Sequence, residues 1–269
     1  MESNMQKVIE SLLNEVVFDE VSYKNALKKL KDAFKADTNL KHVLERGLCL
    51  SKKYKSNVDL LWMGFNPSYD ETNEFVKQEP RPLEFAEPYD SFDELLRTGH
   101  GYWVTVSRRL LGENHQENND VNKEHLDLFS IRNTRQEFIN LVGKRNVNSD
   151  VMGFFKCHIW YSQQFIENYL KPKVIIMANK AAGAYLGLDS RYVWMGYKTK
   201  VIRELPYGKV HKIIGIKEED GLIRPKSKPY KNELDGTVIL HARFQGNGCP
   251  REQQIRPEHI GALLKLAEK

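Results

Sequence analysis

The sequence predicts an α/β protein with three layers: a mainly parallel central sheet, helices on both of its faces, and a helical extension at the N-terminus. Three observations lead there. Short apolar runs alternate with longer segments whose apolar residues recur at helical spacing. The run "VDLLWMG" (58–64) is nearly continuous in apolar character, as a strand buried on both faces is. Polar, Gly- or Pro-containing stretches punctuate the runs at their ends.

The elements follow in order. Residues 1–57 read as helical: Val8, Leu12, Leu13, Val16 and Val17 fall on one face, and Ala26, Leu27, Leu30 and Phe34 on another. They form the extension, and 58–269 form the α/β domain. "VDLLWMG" is the first strand, followed by a long loop rich in Pro and acidic residues up to about Phe92. Residues 92–111 are helical at their ends with "GHGYW" between, and "GYW" is expected to pack the core with Trp103 as an anchor. "KEHLDLFSI" (123–131) is a second strand. "RQEFINLVGK" and "GFFKCHIWYSQQFIENYL" are helices. "KPKVIIMANKAAGAYLG" is strand, sharp turn and helix, with the turn near Ala178–Lys180. "KVHKIIGI" (209–216) is a further strand, and 217–236, with Pro225 and Pro229, is an exposed excursion. "TVILHARFQGNGCP" is a last strand running into a glycine-containing loop, and "RPEHIGALLKLAEK" is a closing helix.

Bulk properties exclude several classes. The 269 residues are 41% hydrophobic, enough for a sizeable core, and the mean hydropathy of -0.57 is that of a soluble chain. No run of 18 apolar residues exists, so no membrane partner is expected. "MESNMQKVIESLL" lacks the basic start and apolar block of a signal peptide. Cys49, Cys157 and Cys249 are far apart, which points to a reducing compartment, hence the cytoplasm, and to neither a disulfide framework nor a metal knuckle. No metal, cofactor or protein partner is indicated. A net charge of +5 permits a polyanionic partner without demanding one.

In parallel α/β sheets ligands bind outside the carboxyl ends of strands. Three such ends carry polar residues just past an apolar run: Gly64–Tyr69, Asp127–Arg132 and His241–Gly248. "GFNPS" at the first resembles the first motif of the uracil-DNA glycosylase superfamily, whose mismatch-specific and single-strand-selective branches show GINPG or GMNPG there. "KPKVIIMANKAAGAYLG" is similar to that superfamily's third strand and following helix. "VILHARFQGNG" is similar to its last strand and loop, where many members have HPSP. The resemblance covers 58–269.

The resemblance implies a DNA glycosylase, monofunctional because no lysine stands in the first motif. Cleaving a base from deoxyribose passes through a cation-like sugar while the leaving pyrimidine gains negative charge. Asn66 takes the position of the water-orienting residue, and as an amide it orients water without acting as a strong base. Pro67 restricts the turn behind it. Capping of a turn is the alternative role for Asn66. His241 takes the position of the histidine that donates to the pyrimidine O2. Gly64, Phe65, Pro67 and Ser68 complete the substrate-binding motif.

Ala242-Arg243-Phe244 departs from Pro-Ser-Pro. In the family this loop grips the minor groove, which gives Arg243, Phe244 and Gln245 the expectation of DNA contacts. Ser68, where the classical branch has Tyr, leaves room beside C5 of the base. Asp127 falls where the superfamily often reads the base edge with Asn. An ionised carboxylate only accepts, which suits the cytosine N4 amino group. Together these point to a 5-modified cytosine, hydroxymethylated or glucosylated as in phage DNA. An Asp that caps a turn is the alternative, and Asn133 is a rival reader. Phe85, in "PLEFAEP", resembles the aromatic that stacks on the turned-out base.

Three classes stay open at this point. One is a glycosylase, for this base or for uracil or mismatched thymine. The others are a DNA-binding module without catalysis, and an unrelated α/β enzyme acting on a nucleotide or small molecule. "RPKSKPYK" (224–231) reads equally as a phosphate contact or a plain surface loop.

Overall fold

The structure is a computed structural model that describes residues 4–67, 91–99, 101–132, 149–188, 194–218, 222–225, 228, 233–243, 245 and 248–268. These fall into two compact units. The first lies within 1–50, 65–88 and 127–165, and the second within 51–64, 89–126 and 166–269.

The first unit is helical. It contains α1 (Asn4–Leu13), α2 (Glu20–Phe34), the short α3 (Lys41–Leu44) and α6 (Ser149–Phe165). Asp19 starts α2 with a capping box: its carboxylate accepts from Ser22 N while the Ser22 hydroxyl accepts from Asp19 N. The predicted apolar face of α2 is the buried one, from Tyr23 through Ala26, Leu27 and Leu30 to Phe34. Tyr23 stacks on Phe165 at 4.2 Å, and Phe34 meets Phe154 edge-on.

Helix α6 also satisfies the end of α1. Trp160 Nε1 donates to the Leu13 carbonyl and the Tyr161 hydroxyl to that of Leu12. These are among the carbonyls a helix end leaves unpaired. Gly153 lets α1 approach α6 closely, since a Cβ there would lie 2.2 Å from Ile9 Cδ1.

The second unit holds a six-stranded mixed, mainly parallel sheet. Its strands are β1 (Leu60–Gly64), β2 (Lys123–Asp127, whose last residue belongs to the first unit), β3 (Val174–Met177), β4 (Tyr197–Leu205), β5 (Gly208–Ile216) and β6 (Val238–Ala242). The order is β2-β1-β3-β6-β5-β4. Strands β1, β3 and β6 run parallel, whereas β5 is antiparallel to β6 and β4 to β5.

Alternate residues line one face: Leu60 and Trp62, Val174 and Ile176, Val238 and Leu240, Val210. Helices α4 (Phe92–Thr98), α5 (Tyr102–Leu111) and α8 (Pro257–Ala267) supply Phe92, Leu96, Val106, Leu110, Ile260 and Leu263 against them, and Trp103 packs there as expected. On the opposite face α7 (Lys180–Leu186) meets β6 at His241. Helices therefore cover both faces, as the sequence predicts.

After Phe165 the helix pattern changes to a π-helical turn, Ile166–Leu170, which carries the buried Glu167. Among the described residues no helix is long and apolar enough to cross a membrane.

Candidate functional site

Parallel register fixes where the strand ends stand. Met63 pairs with Met177, and Met177 with His241. His241 is therefore level with the residue before Gly64, at the carboxyl edge of the sheet. Odd and even positions alternate across a strand, so His241 points away from Leu240 and Ala242, toward α7. Gly183 on that helix makes room for it: a Cβ there would lie 2.7 Å from His241 Nε2. Any larger residue at 183 would push the imidazole from its place.

A second histidine lies beside it. The His211 ring centroid is 6.3 Å from that of His241. His211 Nδ1 is 3.3 Å from the Thr199 hydroxyl, and its buried Nε2 has no hydrogen-bond partner among the described residues. Burial first, and the neighbouring His241 second, push His211 down to about 4, so it is neutral at pH 7. The sequence pattern did not single out His211, because it sits inside a strand and not at a strand end.

Beyond β6, Arg243 is exposed, and its N–H donates to the Tyr207 carbonyl. Gln245 is a correction to the sequence reading. Its side chain is 1% exposed rather than directed at DNA. Nε2 donates to the carbonyls of Arg243 and Gln253, and Oε1 accepts from Ile255 N. Gln245 thus clamps the loop that presents Arg243.

The first unit contains the other strand ends. Asn66 follows Gly64 and Phe65 directly, and its Nδ2 donates to the Pro67 carbonyl at 2.9 Å. That bond fixes the roll of the amide, with the oxygen turned the other way. Phe65 also differs from expectation. Its side chain is buried edge-on against Phe129, which in turn meets Phe155, so the ring packs the interior instead of lining a substrate site.

The Phe65 carbonyl accepts from Phe129 N at 2.9 Å. One backbone bond therefore brings together the exits of β1 and β2, with Asn66 one residue from it on one side and Asp127 two residues from it on the other. Asp127 is half-buried and close enough to Tyr23 and Cys49 to raise both. Burial is the larger cause at each, and it pushes the Cys49 thiol up to about 11, so Cys49 is no ready nucleophile.

Ser130 and His158 form a pair that looks catalytic but is enclosed. Nε2 of His158 lies 2.8 Å from the Ser130 hydroxyl and accepts from Ser130 N. Both residues are buried, at 1% and 0% exposure, so the pair ties the exit of β2 to α6. Burial pushes His158 down to about 3.

A histidine that binds its proton less readily when folded stabilises the fold above its unfolded value of about 6.5 and loses that contribution as pH falls toward its folded value. Urea unfolding is expected to show about 2 kcal/mol less stability at pH 5 than at pH 7 from His158. His158→Gln should remove that difference. An unchanged pH dependence in the variant would contradict the assignment.

Ser68, Phe85, Asn133 and Phe244 lie outside the described residues. Compared with known protein families, curated proteins and solved structures, the chain matches none.

Proposed function

We propose that the chain is a monofunctional DNA glycosylase that turns a pyrimidine out of the helix and hydrolyses its N-glycosidic bond with water. Its substrate base is a 5-modified cytosine, hydroxymethylated or glucosylated as in phage DNA. The observation that carries this reading is the Asn66–Pro67 pair immediately beyond the carboxyl end of a central parallel strand, with the amide held by its bond to the Pro67 carbonyl. Strand ends of this kind are where α/β sheets place their ligands.

The chemistry asks for few groups. As the C1′–N1 bond breaks, its electron pair leaves with the base and the sugar gains positive charge. The water oxygen bonds to C1′ and gives up a proton to solvent, and the departing base anion takes one up from solvent. Asn66 orients that water through its amide oxygen, which adds no full charge and takes no proton. His241, carried over by the resemblance, donates to O2 of the leaving pyrimidine, where a prearranged donor contributes most as charge develops. Asp127 accepts from the N4 amino group of the cytosine.

Asp127→Asn tests the base assignment. The amide would both donate and accept, which suits a uracil edge. A well-placed pair of this kind discriminates by about 1–3 kcal/mol. The ratio of excision rates on 5-hydroxymethylcytosine and uracil should move toward uracil by roughly that factor. An unchanged ratio would remove Asp127 as the reader while leaving the reaction itself in place.

A further inference from the structure

Strands β4 and β5 form a hairpin on the edge of the sheet. Within 197–216 it carries Lys198, Lys200, Arg203, Lys209 and Lys212 against one acid, Glu204. That is most of the excess positive charge of a chain whose net charge is +5.

The register sorts these charges. Glu204 pairs with Lys209, and their side chains form an ion pair at 2.9 Å. The other four share the opposite face. Lys212 pairs with Val238, and Val210 with Leu240, so both lie on the face that carries the apolar core. Lys200 pairs with Lys212, and Arg203 with Val210. The register shift between Val201 and Arg203 skips Ile202, and this extra residue brings Arg203 onto the face of Lys200. Lys198, two residues before Lys200, completes the row.

None of the four has an ion-pair or hydrogen-bond partner for its side chain among the described residues. Lys200 and Lys212 stand directly opposite each other, an arrangement that costs stability in a sheet. Lys198, Lys200 and Arg203 are exposed on the edge strand, and the Tyr207 carbonyl at the hairpin's turn accepts from the N–H of the exposed Arg243.

We propose that this face of the β4–β5 hairpin is a binding surface for the DNA phosphate backbone, continuous with Arg243. The choice of DNA among polyanions rests on the glycosylase reading. A row of cations with a like-charged cross-strand pair is poorly suited to folding alone and well suited to a ligand with closely spaced negative charges. Such contacts position a duplex without reading sequence.

The test is binding of the full chain to a short labelled duplex of unmodified sequence, measured across a series of salt concentrations. The triple variant Lys198→Gln/Lys200→Gln/Arg203→Gln is compared with Lys7→Gln/Lys35→Gln/Lys53→Gln, which removes the same charge elsewhere. Each lost phosphate contact lowers the slope of log affinity against log salt by about 0.9 on duplex DNA. The hairpin triple should therefore lose roughly two to three units of slope and bind at least about tenfold more weakly at low salt. Its Tm should be unchanged or higher, because the Lys200–Lys212 repulsion is relieved.

Equal loss in both triples overturns the proposal. So does a wild-type dimer formed through β4 edge pairing, read by sedimentation at the assay concentrations. The assay needs no excision, so the two readings separate. Hairpin-dependent binding with no base ever released would sink the glycosylase reading and keep this surface. Excision with hairpin-independent binding would do the reverse.

Discussion

Asn66→Ala is expected to lower single-turnover base excision by roughly a hundredfold or more while leaving the fold and DNA affinity nearly as they are. The magnitude follows from what the side chain does. A nucleophilic water displaced by about 1 Å loses rate on that scale. The bond from Asn66 to the Pro67 carbonyl is a local one, and losing a single such bond costs about 1 kcal/mol net.

Asn66→Asp separates orientation from mere turn formation. A carboxylate still accepts from water and adds basicity but loses the bond to the Pro67 carbonyl, so excision should fall less than in Asn66→Ala. If Asn66 only shaped the turn, Ala and Asp would act through stability, and urea midpoints would show it. Full excision by Asn66→Ala would remove the mechanism.

Arg224→Ala should cost about 3–5 kcal/mol of unfolding free energy. Arg224 Nη2 donates to both carboxylate oxygens of Glu167, and the Tyr197 hydroxyl donates to the same carboxylate at 2.9 Å. The arginine and carboxylate side chains are 9% and 6% exposed. The cluster joins three separate stretches of the second unit: the π-helical turn, the start of β4, and residues 222–225. Truncating the arginine strands a buried carboxylate, which is far more costly than losing the pair's net attraction. The double variant Glu167→Met/Arg224→Met should recover much of the loss. A single-variant cost below about 1 kcal/mol, measured by urea unfolding, would show that water reaches the carboxylate.

The strands that were legible from the sequence are those buried on both faces. β1, β3 and β6 are continuous apolar runs because helices cover the sheet on each side, and β5 still has its inward Val210 and Ile213. β4 left no such trace. As the outermost strand it is exposed along most of its length, so no core constrains its alternation and its sequence shows no strand pattern. β2 stops at Asp127 instead of continuing to Ile131, because Phe129 spends its N–H on the Phe65 carbonyl and its ring on the first unit's interior.

The candidate site was legible where position alone decides. Asn66, Asp127 and His241 stand at or just past strand ends, as the pattern of apolar runs implies. It was illegible where burial decides. Gln245 in a glycine-containing loop has the same sequence appearance whether it reaches outward or clamps its own backbone. Phe65 likewise reads as a motif residue until its ring is seen against Phe129.

The central claim is that this chain releases a base. The most direct measurement is abasic-site formation, read as strand breaks after alkali. The DNAs should carry uracil, thymine opposite guanine, 5-hydroxymethylcytosine or glucosylated phage cytosine, with unmodified DNA as control. Breaks at the modified cytosines, absent with Asn66→Ala, are the predicted result. Breaks at uracil or mismatched thymine alone would keep the reaction and reject the base. Tight binding with no breaks on any DNA would contradict the account.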